Sequence, residues 1–377
     1  MYVLGVDFGG GSCKTTLLSD KGKVVATATC EYLTKYGSDG AATQNPNDWY
    51  FSACRNIKTI LNQGYDPKDI KVVCFSAATH TAVLLDKNDQ LICDALYWTD
   101  TRSKEEKKFL LEKYSDVLLK KTKHLPDTIW TLPELMYLFK NNKEIYKKVA
   151  KVMFEKDYVR TRFTGDFVTD YIEAEGSMMF DFDTKEWDKD LLSLCGLKIN
   201  QMPKVVNPLD VVGKVCKNAA IDSGLLEGTK VICGSTDTAM EVFANGAIEK
   251  GDMTIKFATA GRVCVVSDAL VSAAYLGPDS EYKSVWVGEA DEFFGIAVKK
   301  GNDYVTVCRS LSIRVYVNGE QRKHCVYTVF DGPLTFSLPG KRGEVSIPLD
   351  RYHVNFFFSG TNEPVALGFF DERFVEL

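Results

Sequence analysis

The stretch Tyr2-Val3-Leu4-Gly5-Val6-Asp7-Phe8-Gly9-Gly10-Gly11-Ser12-Cys13-Lys14-Thr15-Thr16-Leu17-Leu18 decides how the chain folds. An apolar run ends at Asp7, three glycines follow, and a second apolar run begins after Lys14, which predicts a strand, a tight turn and a strand. Glycines let backbone N–H groups approach an anion that side chains would hold off. Ser12 and Lys14 add a hydroxyl and a charge, and Asp7 can hold a cation or its waters beside phosphate oxygens. The turn is a candidate phosphate cradle, and its plainer reading is a hairpin turn and nothing more.

Working outward, 377 residues exceed one ordinary domain, and 45% hydrophobic with 12% aromatic residues suffices for more than one core. The 46 basic and 51 acidic residues leave a formal charge of -5. That balance offers no basic field to nucleic acid and no polybasic patch to a membrane. A small anionic ligand has to be met by local donors. The 11 cysteines include no C-x-x-C pair and sit mostly inside apolar runs, the pattern of reduced core thiols in a cytoplasmic protein. The N-terminus runs straight into a strand without a signal-peptide pattern, and no apolar stretch is long enough to span a bilayer.

Alternation over Lys23–Glu31 predicts a third strand, so the start reads as an antiparallel meander. Asn45 to Asp48 supplies the cap and first turn of a helix towards Leu61. Ile70–Ser76 is a short buried strand. Val83–Asp86 and Gln90–Tyr97 flank Lys87-Asn88-Asp89 as a hairpin. Polar groups gather after these strands: Thr79, His80 and Thr81, then Thr99, Asp100 and Arg102. His80 can hydrogen-bond a polyol or serve the structure alone. Asp100 with Arg102 can orient hydroxyls, or form a surface pair worth less than about 1 kcal/mol. Ser103–Lys123 and Pro133–Lys151 carry apolar positions at helical spacing among lysines that read as solvated faces. Gly165 and Gly176 read as helix ends. Ala219–Leu226 reads as a short helix, with Gly228 at its exit.

Lys230–Cys233 is a buried strand running through Gly234-Ser235-Thr236-Asp237-Thr238-Ala239 into an apolar helix. A carboxylate at such a junction sits near unbonded N–H groups, where a substrate hydroxyl can be brought close. Asp237 is therefore the candidate general base, with helix capping as its alternative role. Met253–Phe257 and Arg262–Ser267 flank a second small-residue hairpin, Ala258-Thr259-Ala260-Gly261, and two such hairpins can grip a polyphosphate from both sides.

In order and spacing these segments resemble the FGGY family of carbohydrate kinases, most nearly its xylulokinase branch. The resemblance is collinear from about Tyr2 to Asp268: Asp7 to Lys14, Asn45-Pro46 with Trp49, Ser76 to Thr81, Trp98 to Arg102, Lys156-Asp157-Tyr158, Thr164-Gly165, Thr169-Asp170-Tyr171, Gly234 to Ala239, and Ala258 to Gly261. It implies an α/β, ribonuclease-H-like lobe of the actin and hexokinase type, holding a sugar and closing on ATP and Mg2+ against a second lobe. By position it makes Asp237 the base and Asp7 the metal-side carboxylate. Gly9, Gly10, Gly11, Ser12 and Lys14 then form the first phosphate segment, with Thr259 and Gly261 in the second. Thr79, His80, Asp100, Arg102 and Thr238 fall where the family contacts sugar. The implied reaction is ATP-dependent phosphorylation of a pentulose such as D-xylulose to its 5-phosphate, in which positioning, charge neutralisation and one base supply most of the rate.

The chain departs from the family at Ala78-Thr79-His80-Thr81, where Gln-Met-His-Gly is usual. Glu134 and Tyr137 stand in place of a lysine and a tryptophan, and Ala258 in place of a glycine. After Asp268 the family's helical second lobe, with its adenine pocket, is expected and not found. Residues 269–280 read as a linker, and 281–377 as a small all-β domain, sandwich or barrel, with Asn318-Gly319 as a hairpin turn. Without the second wall, weak turnover is expected, unless a homodimer rebuilds it. The alternative is a sugar-binding protein without turnover.

Overall fold

The computed structural model describes residues 1–249 continuously, then 253–256, 262–266 and the backbone of strands between 285 and 376. The chain divides into two compact units, Met1–Thr254 with Cys264–Val266, and Ile255–Val263 with Ser267–Leu377.

In the first unit, β1 (Tyr2–Phe8), β2 (Ser12–Ser19) and β3 (Val24–Glu31) form the antiparallel meander. Along β1 the side chains alternate, with Leu4, Val6 and Phe8 buried and Asp7 exposed. This is the period-2 pattern of a strand with one face in the core. Helix α1 (Pro46–Leu61) starts where Asn45 Oδ1 accepts the N–H of Asn47 at 3.0 Å and Pro46 takes the first position. Its buried stripe Trp49, Ala53, Ile57 and Ile60 packs on the meander's core.

β4 (Ile70–Ala77) then lies parallel to β1, with Asp7 opposite Ser76. β5 (Ala82–Leu85) departs from the expected hairpin: its partner in the ladder is not 90–97 but a strand far along the chain. The polar turn is real, since Asp86 N–H donates to Gln90 O at 2.9 Å, but only one bridge, Leu85 with Leu91, follows it. Helix α2 (Lys104–Thr122) is followed by α3 (Thr131–Asn141), which ends sooner than the periodicity to Lys151 predicts. The remainder is a turn of helix at Lys143–Tyr146 and then β6 (Lys151–Phe154), the antiparallel partner of β5. β6 feeds α4 (Glu155–Thr164), closed by Gly165 in the left-handed region at φ 82°. Helix α5 (Tyr171–Gly176) is capped by Asp170, whose Oδ1 accepts from Ile172 and Glu173.

β7 (Val211–Lys214) is antiparallel to β8 (Lys230–Ile232), and between them α6 (Lys217–Ser223) ends at Gly224 rather than at Gly228. β9 (Ser235–Thr236) leads into α7 (Asp237–Ala244). The mixed sheet runs β7-β8-β4-β1-β2-β3, with β9 also on β4. The parallel pairs of this sheet therefore all meet at β4. A second cluster, with Leu110, Leu118, Leu132, Leu135 and Met179 at its centre, packs α2 and α3 against the region after β5. The described cysteines are free thiols, as expected of a reduced chain, and burial pushes the Cys13 thiol up to about 12. Among the described residues no helix is long and apolar enough to cross a membrane.

In the second unit the backbone strands Asp303–Val317, Glu320–Phe330, Tyr352–Phe358 and Pro364–Phe370 pair antiparallel in that order.

Candidate functional site

The glycine turn between β1 and β2 closes with Gly9 N–H donating to Ser12 O at 2.9 Å. Its carbonyls are then taken up by the body of the lobe. Tyr32 Oη donates to Gly9 O, Gln44 Nε2 to Gly10 O at 2.9 Å, Thr34 Oγ1 to Gly10 O at 3.1 Å, and Tyr32 N–H to Gly11 O at 3.0 Å. With the oxygens held inward, Gly10 and Gly11 present their N–H faces away from that ladder. This is the polarity an anion requires of a backbone cradle. A Cβ at Gly10 would sit 3.1 Å from the Tyr97 hydroxyl, whereas Gly11 has open space. Lys14 and Asp7 are cross-strand neighbours, both exposed.

Across the sheet end the register continues from Asp7 to Ser76 on β4 and from Ser76 to Ser235 on β9. Two strand spacings, about 10 Å, therefore separate the backbones of Asp7 and Ser235, and Asp237 follows two residues later. Gly234 makes this approach possible: it adopts φ 77°, and a Cβ there would lie 1.9 Å from Phe75 O. The N-cap of α7 is Thr236 rather than Asp237, and its Oγ1 accepts from Ala239 N–H at 3.3 Å. Asp237 is the first residue of α7, and its Oδ1 accepts from the N–H of Thr238 at 2.6 Å and from Thr238 Oγ1 at 3.1 Å. Thr238 therefore orients the carboxyl.

His80 is seated from three sides. Its Nδ1 shares a 3.1 Å hydrogen bond with Glu173 Oε1, its ring lies 5.1 Å from that of Trp130, and Trp130 stacks in turn on His124 at 4.4 Å. Burial, reinforced by His124, pulls His80 down to about 3, so the imidazole is neutral at ordinary pH. Gly176 proves to be more than a helix end. A Cβ there would come within 1.8 Å of His80 Cε1, so the histidine occupies the place of a side chain.

Asp100 and Arg102 are not the surface pair that their spacing suggests. The Asp100 side chain is 1% exposed and that of Arg102 18%. Asp100 Oδ2 accepts from Arg102 Nη2 at 2.7 Å, from Nε at 3.0 Å and from Ala42 N–H at 2.9 Å, while Oδ1 accepts Arg102 N–H at 3.0 Å. The carboxylate is spent on the protein, so any hold it has on a ligand runs through Arg102. The guanidinium lies 5.3 Å from the Tyr137 ring centre. Nearby Glu134 is buried, its Oε1 lacks a hydrogen-bond partner, and burial followed by the charge of Asp100 raises it well above the ordinary carboxyl range. Thr79 is half-buried on the segment before His80. Thr259 and Gly261 lie outside the described residues.

Sequence reasoning passed over Glu155. It opens α4, its N–H donates to Thr81 O at 3.1 Å, and both carboxyl oxygens are buried without a hydrogen-bond partner. Burial, then the charges of Glu173, Asp7 and Asp237, raise it well above the ordinary range. One buried carboxyl thus feels both Asp7 and Asp237, which places the two ends of the site in common surroundings. An acid in a helix's first turn is too ordinary a feature to have singled it out.

The sequence matches the N-terminal domain of the FGGY family of carbohydrate kinases over residues 2–244. A xylulose kinase of Bacillus subtilis is 33% identical over 263 residues, 70% of this chain and 53% of that protein. Among solved structures, a xylulose kinase from Rhodospirillum rubrum superimposes with a TM-score of 0.70 at 24% identity, covering 73% of this chain and 57% of that one. A gluconate kinase from Lactobacillus acidophilus gives 0.67 at 23%, covering 70% and 53%. These likenesses share the fold of the mixed-sheet α/β lobe. The chain spans about half the length of the curated relatives it matches. By residues 2–244 it belongs to the FGGY family of carbohydrate kinases.

Proposed function

We propose that this chain is a sugar kinase that phosphorylates a pentulose such as D-xylulose at its 5-hydroxyl from ATP, with Asp237 as the base. The observation that carries the reading is the register Asp7–Ser76–Ser235. It sets a glycine turn with inward-held carbonyls beside a carboxyl oriented by Thr238 at the start of a helix. His80, Arg102 and Thr79 would face the sugar, and Gly9 to Ser12 with Lys14 the phosphates, joined by Thr259 and Gly261. Asp100 would act by fixing Arg102. The lobe itself reads as ribonuclease-H-like, with residues 1–268 as its extent, 269–280 as linker and 281–377 as a separate all-β domain.

Asp7 is the residue that would hold Mg2+. Among the described residues no group of three His, Cys, Asp or Glu is placed to bind a metal. Asp7 is exposed at the end of β1 beside the glycine turn, and Mg2+ keeps several waters and needs only one or two carboxylates when phosphates supply the rest. When bound it shields phosphate charge. The chain's own residues have three tasks. Asp237 accepts the proton of the attacking hydroxyl, His80 and Arg102 hold the sugar so that this hydroxyl points at the phosphate, and the N–H groups of the glycine turn meet the charge that remains.

The match to about half the length of the Bacillus subtilis and Lactococcus lactis xylulose kinases is what favours a second reading, a protein that holds sugar without turnover. We expect turnover of this chain to be weak, because the match to the family's N-terminal domain covers residues 2–244 and the resemblance implies a further lobe on which the family closes around ATP. ADP release with D-xylulose and Mg2+, lost in Asp237→Asn, supports the kinase. Calorimetric sugar binding with no ADP release supports the alternative. The reading is of a cytoplasmic protein without nucleic-acid or membrane partners, and homodimerisation is the arrangement that would supply a second wall.

A further inference from the structure

Lys156 is fully buried, in the second position of α4. Its Nζ lies 2.6 Å from Asp157 Oδ1, 2.8 Å from Asp170 Oδ2 and 3.9 Å from Glu173 Oε2. Burial works against the ammonium, yet Asp157, Asp170 and Glu173 outweigh it and keep the lysine charged. A buried cluster of this kind is weak evidence for stability, since apolar replacements often serve as well. What distinguishes this one is where its carboxyl groups lead. Asp170 Oδ1 accepts Ser235 Oγ at 2.9 Å, fixing the strand two residues before Asp237. Glu173 Oε1 holds the ring of His80 at 3.1 Å. One ammonium therefore stands behind both the strand that delivers the base and the imidazole on the sugar side.

We propose that Lys156 is a positioning residue: through Asp170 and Ser235 it sets the approach of Asp237, and through Glu173 it sets His80, so that base and sugar contact are tied to one buried point. The functional consequence rests on the kinase reading; the tie itself does not. Misplacing a reacting group by about 1 Å costs about 100-fold in rate, so slack in either arm is legible in kinetics. The two arms have separable signatures. Slack at Ser235 moves the base and lowers kcat, whereas slack at Glu173 moves His80 and weakens sugar binding.

The test uses the full chain with Ser235→Ala and Glu173→Gln as single-arm variants and Lys156→Met as the variant that cuts both. Ser235→Ala is expected to lower kcat for D-xylulose about 10- to 100-fold with KM within about twofold, and to speed amide hydrogen exchange across 235–239 while leaving 2–18 unchanged. Glu173→Gln is expected to shift the His80 imidazole NMR signals and weaken calorimetric D-xylulose binding, leaving exchange at 235–239 as in the wild type. Lys156→Met is expected to show both signatures. Should it fail to fold, the single-arm variants still decide. Ser235→Ala with wild-type kcat and wild-type exchange would overturn the proposal, as would Glu173→Gln with an unmoved His80 signal. If the wild-type chain releases no ADP, the kinase reading fails, while exchange and the His80 signal still judge the tie.

Discussion

A methyl group at residue 176 would collide with the imidazole of His80, since a Cβ there lies 1.8 Å from Cε1 and 2.1 Å from Nε2. Neither neighbour gives way easily, because the ring is held by Glu173 and packed on Trp130. Gly176→Ala should therefore destabilise the lobe by about 1–3 kcal/mol, the usual cost of overpacking, and weaken sugar binding more than ATP binding, measured by calorimetry with each ligand. A second consequence concerns Glu155, which keeps its proton because burial, then Glu173, Asp7 and Asp237, oppose its charge. The unfolded chain gives up that proton above the ordinary value of 4.5 while the folded chain retains it, so stability falls as pH rises until the folded group also ionises. The slope is at most about 1.4 kcal/mol per pH unit for one group. Glu155→Gln cannot lose a proton, and its urea midpoint should exceed that of the wild type by more at about pH 8 than at about pH 5. An equal gap at both would mean that Glu155 is ionised throughout. Asp7 and Asp237 could be named as candidates from the sequence because each stands near the end of an apolar run, whereas the state of Glu155 depends on burial and on Glu173, Asp7 and Asp237, from three separate elements.

Elements built from neighbouring residues could be read directly, and those completed by distant partners could not. β1, the glycine turn, β2 and β3 pair in sequence order, so alternation alone located them within a residue or so. Helix α1 likewise carries its own cap at Asn45 and its own proline. The segment 82–97 misled because an apolar run on each side of a polar turn is the signature of a hairpin, yet β5 gives its ladder to β6, some seventy positions further on. That exchange matters for the site, because it brings Thr81 O to the N–H of Glu155 at the start of α4. The helix expected over 133–151 fails for a different reason: helical spacing continues past Asn141, but the chain breaks there and resumes only as a single turn at Lys143–Tyr146 before β6. At the Asp100–Arg102 junction the residue types were plain and the burial was not, since Ala42, whose N–H bonds Asp100, arrives from another part of the chain.

Across the whole molecule, the residues assigned to the sugar side all fall in the first unit, from Thr79 to Thr238, while the second phosphate segment at Thr259 and Gly261 lies outside the described residues. Sugar binding should therefore be nearly complete in this chain even where ATP binding is not. A ligand held only by the folded state stabilises it by about 2.7 kcal/mol at a hundredfold excess over Kd. For a unit of this size that corresponds to a rise in melting temperature of about 5–10 °C. In a thermal-shift panel of pentuloses, hexuloses and aldonates, the preferred sugar should give a shift of that order. Chelating divalent cations should leave it unchanged, since the residues proposed for the sugar side are neutral His80, Arg102 and hydroxyls. The shift given by ATP with Mg2+ should be smaller and should vanish on chelation, because Asp7 is proposed to hold Mg2+ beside the phosphates. A panel in which no sugar moves the midpoint would count against both the kinase and the sugar-binding reading, since each requires the seat around His80 to be filled by a polyol.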